Sequence, residues 1–153
     1  MGQVMKVEDG LIKDTIGFTC SCFDLLHAGH LIMLKDAKSK CDKLIVGLQT
    51  DPSQDRATKS KPAQTIVERY LQLRACKFVD EIIPYGTEQD LEDLLAGMHI
   101  DVRILGVEYR DKGFTGSDIC KTRGIEIYFN ERDHRFSSSV LRKHIADSVK
   151  KKK

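Results

Sequence analysis

Tryptophan is missing from the 153 residues, and six Phe and four Tyr are the only aromatic side chains. That supply is too thin for the aromatic box that usually holds a quaternary ammonium ligand. No apolar run approaches the roughly 18 residues of a membrane span, and the N-terminus lacks a basic-then-apolar signal pattern. Met1-Gly2 opens as a myristoylation start would, but Lys6 stands where that pattern needs Ser or Thr. There is little excess charge: Lys plus Arg number 25 against 23 for Asp plus Glu, and the +2 balance becomes −2 once the four lysines 150–153 are set aside. A surface that coats nucleic acid is therefore not expected. Five cysteines, Cys20, Cys22, Cys41, Cys76 and Cys120, make an odd count without paired spacing. They read as reduced thiols of a cytoplasmic protein, not as a disulfide frame or a zinc site. No internal repeat occurs.

What is present suits one domain with one core: 41% hydrophobic and 31% charged residues at a length too short for two. Short β-rich runs alternate with helical patterns. Thr15–Cys20 reads as a strand and Ala28–Cys41 as a helix. Lys43–Leu48 is a second buried strand, followed by a polar loop over Asp51–Lys61 and a helix carrying Ile66, Tyr70 and Leu73. Asp80–Pro84 is a third strand, and Leu91, Leu94, Leu95 and Met98 form the apolar stripe of the next helix at i, i+3, i+4 and i+7. Val102–Gly106 and Ile125–Phe129 supply two more strands, with a short helical stretch around Ser117–Thr122 between them. A last helix opens at Ser137–Ser139. This alternation predicts an α/β fold, a Rossmann-like doubly wound parallel sheet in a single domain over 14–149, with 1–13 as an N-terminal extension and 150–153 as a basic tail. Ligands of such sheets bind at the carboxyl ends of the strands, and each polar motif falls at such an end.

The first motif is Cys22-Phe23-Asp24-Leu25-Leu26-His27-Ala28-Gly29-His30, directly after the first strand. His27 and His30, three apart, present their rings on nearly the same side of an opening helical turn, and Gly29 leaves the backbone open to a ligand. A helix N-terminus adds free N–H groups and partial positive charge, so a phosphate fits there. Two other readings stay open. A histidine pair at this spacing can share a zinc ion, although no third ligand lies nearby, and the same pair can simply cap the helix.

The second motif runs Arg132-Asp133-His134-Arg135-Phe136-Ser137-Ser138-Ser139 into the final helix. Hydroxyls and backbone N–H groups at a helix start bind phosphate oxygens, and Arg132 or Arg135 can clamp the same oxygens. One serine is explained by N-capping alone; three with arginines upstream ask for more. Lys59 and Lys61 lie in the polar loop and on spacing alone read as solvated.

These residues together resemble the H-x-G-H cytidylyltransferases of the nucleotidyltransferase superfamily, and the size is similar to that of the glycerol-3-phosphate cytidylyltransferases. The likeness spans most of the chain. The family's G-T-F-D-L-L-H-x-G-H is written here as Ser21 to His30, with Ser21 for Gly and Cys22 for Thr. A lysine-containing loop and a Glu-Arg helix resemble Lys59, Lys61, Glu68 and Arg69. The family's Y-V-D-E-V-I-P, which usually helps form a dimer, is similar to Phe78–Pro84. R-T-x-G-I-S-T-T corresponds to Arg132–Ser139, with Arg135 for Gly. Gly106-Val107-Glu108-Tyr109 resembles the segment that surrounds base and ribose.

The resemblance implies transfer of CMP from CTP to an alcohol phosphate, with release of pyrophosphate. It implies His27 and His30 on the α-phosphate and its bridging oxygen, Lys59 and Lys61 on the acceptor phosphate and α-phosphate, and Arg132 with Ser137, Ser138 and Ser139 on the β and γ phosphates. Cys22, Phe23, Gly29, Gly106, Glu108 and Tyr109 complete the nucleotide site, and Asp24, Lys61 and Arg69 would orient the acceptor. Magnesium is expected with the triphosphate, held by phosphate oxygens and water, with no protein ligand to a metal. A homodimer is implied as well. The acceptor expected is a polyol phosphate such as glycerol-3-phosphate, since the aromatic supply disfavours phosphocholine. Replacing His27 or His30 by Ala is expected to abolish most turnover and leave the fold intact. Two competing readings are an ATP-using adenylyltransferase of the same superfamily and a nucleotide-binding module without turnover, the latter suggested by Ser21, Cys22 and Arg135.

Overall fold

The apolar runs marked as strands lie side by side in a computed structural model that describes residues 6–8 and 11–152. Their order follows from helical crossovers between parallel strands. Strand β3 (Ile16–Ser21) leads through helix α1 (Ala28–Lys38) to β4 (Lys43–Gln49), then through α2 (Ile66–Arg74) to β5 (Glu81–Tyr85). Helix α3 (Glu88–Gly97) carries the chain back across the sheet to β6 (Val102–Gly106), and a short α4 (Tyr109–Lys112) and α5 (Ser117–Arg123) precede β7 (Glu126–Asn130). Helix α6 (Ser138–Lys151) closes the chain. The five strands form one all-parallel sheet in the order β5-β4-β3-β6-β7. This is the Rossmann-like doubly wound arrangement expected, and its direction of winding reverses between β3 and β6, where a crevice must open.

Both faces of the sheet are covered. Leu44, Val46, Leu48, Val102 and Ile104 pack with Leu34 and Ala37 of α1 and Leu73 of α2. On the opposite face, Phe18 and Ile45 pack with Leu91 and Leu95 of α3 and Cys120 of α5. Helices α1, α2, α3 and α6 begin where a side chain satisfies free N–H groups, whereas α4 and α5 start without a side-chain cap. Thr65 and Glu68 form a capping box on α2, and Thr87 and Asp90 form one on α3.

Four features depart from the sequence reading. Helix α1 ends at Lys38, not Cys41, because Asp42 is needed at the turn: its carboxylate accepts the Thr15 N–H at 2.8 Å, and Cys41 swings into the core at 4% exposure. The polar loop contains a 3-10 turn over Pro52–Gln54, capped by Asp51, whose side chain accepts the Ser53 N–H. Helix α4 was hidden in a segment with no apolar period. Finally, β1 (Lys6–Glu8) and β2 (Leu11–Lys13) pair antiparallel within the N-terminal extension, with Lys6 opposite Lys13. Among the described residues no helix is long and apolar enough to cross a membrane.

Candidate nucleotide site

A cleft of about 970 Å³ opens along the carboxyl edge of the sheet, at the switch point. Its walls are the ends of β3, β4, β6 and β7, the first turn of α1, the start of α6 and the loops between them. Both histidines of the first motif and two serines of the second line this one space, so the two phosphate-type motifs face a common cavity.

The imidazoles divide their two nitrogens between two tasks. His27 is the N-cap of α1: its Nδ1 accepts the Gly29 N–H at 3.0 Å, while His30 Nδ1 accepts the His27 N–H at 3.2 Å. The capping reading is therefore correct as far as it goes. With both Nδ1 atoms accepting, each neutral ring carries its proton on Nε2, which is left for another partner. His27 Nε2 meets Ser138 Oγ at 3.2 Å, and that hydroxyl donates in turn to the Asp24 carbonyl at 3.2 Å. The two rings stack with centroids 3.9 Å apart. Burial lowers the His30 pKa to about 4, with the neighbouring His27 adding to the effect. His27 is also lowered, by burial first and then by His134 and Arg132. Both rings are thus neutral donors at pH 7.

Gly29 is required for space. A Cβ there would lie 2.9 Å from His134 Cε1, 2.9 Å from His27 Cε1 and 3.0 Å from the Phe136 carbonyl oxygen. The closing loop therefore rests directly on the first turn of α1. Arg132 reaches back to donate to the Phe136 carbonyl at 3.0 Å, and the His134 ring stacks on Phe136 while its Nδ1 accepts the Phe136 N–H. Ser137 is the N-cap of α6, accepting the Val140 N–H at 3.1 Å. The three serines thus separate: Ser137 caps, Ser138 bridges to His27, and Ser139 is exposed and outside the cleft wall.

Other expectations need correction. Asp24 does not face the cleft. Its carboxylate, 6% exposed, accepts the N–H groups of Ala63 and Gln64 at 2.8 and 2.9 Å and pairs with Arg142. Burial alone would raise its pKa, but these donors outweigh burial and hold it below the usual carboxylate range. Arg69 is buried at 2% exposure, donating to the carbonyls of Gln64, Cys22, Gln49 and Thr50. It fastens the ends of β3 and β4 to the start of α2 and has no face toward an acceptor. The Phe23 side chain lies in the core beneath His30, ring centroids 5.5 Å apart. Phe23 and Leu25 both take left-handed backbone angles, φ 50° and 53°, which cost of order 1–3 kcal/mol each. These contacts hold the strained loop in place. Lys61 is exposed and does not line the cleft, whereas Lys59 does.

Cys22, Gly106, Glu108 and Tyr109 also line the wall. The Glu108 carboxylate folds over Gly106 so closely that a Cβ there would collide with it. Sequence reasoning gave no role to His134, Arg56, Glu88 or Arg103, all of which line the cleft. His134 stood inside a quoted motif, so its position was available; the others have no local signal. Among the described residues, no three His, Cys, Asp or Glu side chains are grouped to hold a metal ion.

Comparison with known proteins adds to this geometry. A family model described as cytidylyltransferase-like matches residues 18–143. The bifunctional protein HldE of Hyphomonas neptunium is 37% identical over 128 residues, 83% of this chain and 26% of its own length. HldE of Campylobacter jejuni is 35% identical over 133 residues, 86% of this chain and 28% of its own. The chain thus spans about a quarter of these relatives. A crystal structure of a lipopolysaccharide core biosynthesis protein from Thermoplasma volcanium superposes with TM-score 0.62 at 24% identity, over 81% of this chain and 100% of that one.

Proposed function

Given that the chain belongs to the cytidylyltransferase-like family, we propose that it transfers a nucleotidyl group from a nucleoside triphosphate to the phosphate of a small phosphorylated alcohol. The observation that carries this is the meeting of His27 Nε2 and Ser138 Oγ at 3.2 Å inside one cleft. It joins the opening turn to the closing helix around a space of the right size and polarity.

An oxygen of the acceptor phosphomonoester attacks the α-phosphorus, the bond from that phosphorus to the bridging oxygen breaks, and pyrophosphate leaves. No general base is needed, because a phosphomonoester with a second pKa near about 6 is largely dianionic at neutral pH. The barrier is mutual repulsion of anions, so the protein's task is alignment and charge stabilisation. The Nε2–H groups of His27 and His30 donate to the α-phosphate and its bridging oxygen. Ser138 and the N-terminus of α6 receive the β and γ phosphates with Arg132, and Lys59 meets the acceptor phosphate. A magnesium ion accompanying the triphosphate would supply charge neutralisation there.

CTP is the donor on the overall family likeness. ATP is the second reading, favoured because the relatives compared above are HldE proteins and not named cytidylyltransferases. Glycerol-3-phosphate is the first acceptor to test, and the homodimer implied through Phe78–Pro84 belongs to the same reading. The test is pyrophosphate release from CTP and from ATP with a panel of alcohol phosphates. His27→Asn keeps an N-cap but removes Nε2, and should lower kcat about 10²–10³-fold. Equal turnover in wild type and variant, or none in either with any pair, rejects the proposal.

A further inference from the structure

Two arginines are buried to the same degree and treated very differently. Arg69 and Arg103 are each 2% exposed. Arg69 spends its donors on four carbonyls. Arg103 donates from Nη1 to the Thr115 carbonyl, and its Nε has no acceptor among the described residues. No carboxylate there pairs with it either. Glu88, which lines the same cleft, has one oxygen on Arg56 at 2.7 Å and the other on the Thr115 hydroxyl. The Cys20 thiol beside Arg103 is kept protonated by burial and supplies no countercharge. The Phe114 ring lies over the guanidinium at 4.9 Å, an aid worth far less than a full ion pair.

A buried cation with an idle donor is costly unless something completes it. Arg103 also lines the cleft. Its place there is fixed by register: Arg103 lies beside Phe18 across β3 and β6, and Phe18 lies beside Ile45, so Arg103 projects from the face covered by α3 and α5. The histidines lie on the other side of the strand ends, at the start of α1. The cleft therefore has two halves, one walled by His27, His30 and Ser138, the other floored by Arg103 among Cys20, Gln49, Tyr85 and Thr115.

We propose that this second half is the acceptor subsite and that Arg103 holds an oxyanion of the acceptor, so that the substrate supplies the charge the fold leaves out. The inference rests on the transfer reading above and names the residue that selects its acceptor. The oxyanion is either the phosphate that attacks or a second anionic group at the far end of the molecule.

Calorimetric titration of the whole chain separates these sources without requiring turnover. The probes are glycerol 3-phosphate, 3-phosphoglycerate, glycerate and glycerol, each with and without saturating nucleotide. Arg103→Leu should weaken the anionic probes by about ten- to a hundredfold, the range of a charge-assisted hydrogen bond, and leave CTP or ATP affinity unchanged. Equal losses for glycerol 3-phosphate and 3-phosphoglycerate place the attacking phosphate on Arg103; a loss confined to 3-phosphoglycerate and glycerate places a distal carboxylate there. Unchanged affinity for every anionic probe, or failure of the wild type to bind any of them, overturns the proposal. Arg103→Lys, which keeps the charge in place, should retain part of the affinity and guards against a folding defect in the leucine variant. If the anions bind and respond to Arg103 while no pyrophosphate is released with any acceptor, the transfer reading fails and the anion subsite stands.

Discussion

Gly29→Ala separates the folding role of the first turn from its chemical one. Its backbone angles are helical, so alanine introduces no strain of its own and would ordinarily stabilise a helix by about 0.5–1 kcal/mol. The new methyl, however, would stand 2.9 Å from His27 Cε1, 2.9 Å from His134 Cε1 and 3.0 Å from the Phe136 carbonyl oxygen. Ordinary van der Waals contacts between such atoms lie at about 3.5–4.0 Å, so each neighbour must retreat by several tenths of an ångström. Two are ring atoms and can tilt; the third is backbone, and moving it shifts the loop that carries the N-cap of α6. Repacking of this kind costs about 1–3 kcal/mol, which roughly cancels the helical gain. The expected change in unfolding free energy is thus within about 1 kcal/mol of zero. Catalysis should respond far more, because a displacement approaching 1 Å at a positioning group costs about 10²-fold. Urea unfolding and steady-state pyrophosphate release on the same preparation give both numbers. A variant that unfolds at the same urea concentration and turns over within threefold of wild type would show that the loop-to-turn contact does not position the phosphates.

His30 gives a pH signature. Its pKa falls from 6.5 unfolded to about 4 folded, so the unfolded chain binds the proton first. This effect is absent above pH 6.5, grows as the pH falls, and reaches about 3 kcal/mol of destabilisation near pH 4. Unfolding curves for His30→Gln should lose most of that slope; a parallel pH dependence in the variant would contradict the assignment. Arg69→Met removes the guanidinium from four carbonyls, one buried and three half-buried, and should cost about 3–5 kcal/mol, read by chemical denaturation. A loss below 1 kcal/mol would mean that water reaches those carbonyls.

The alternation of runs such as Lys43–Leu48 and Val102–Gly106 with helical stripes was enough to place all five strands of the sheet, because a strand buried on both faces advertises itself by continuous apolar residues. The helix stop at Lys38 was not visible, since the need for Asp42 at the start of β3 is a tertiary demand. The same division holds in the cleft. His27, Gly29 and His30 fall within one opening turn of α1 and Ser138 opens α6 behind its own N-cap serine, so each of the two clusters was legible as local information. Asp24 and Arg69 sit in similar motifs yet face inward, decided for Asp24 by Ala63, Gln64 and Arg142 and for Arg69 by the carbonyls of Cys22, Gln49, Thr50 and Gln64. Arg103 gave no signal at all, standing in an apolar strand where its direction depends on register with Phe18.

Helix α6 brings Ser138 to the cleft, yet every residue from 139 to 152 is exposed. Its first turn is tied down by polar contacts to Asp24 and His27, and Val140, Leu141, Ile145 and Val149 face outward. A seat made of a few hydrogen bonds and one ion pair is intrinsically light. Any polyanion spanning the two motifs adds its own bonds to that seat, so capture of the ligand and docking of the arm become a single equilibrium, and amides near residue 140 should exchange with deuterium more slowly once the cleft is filled.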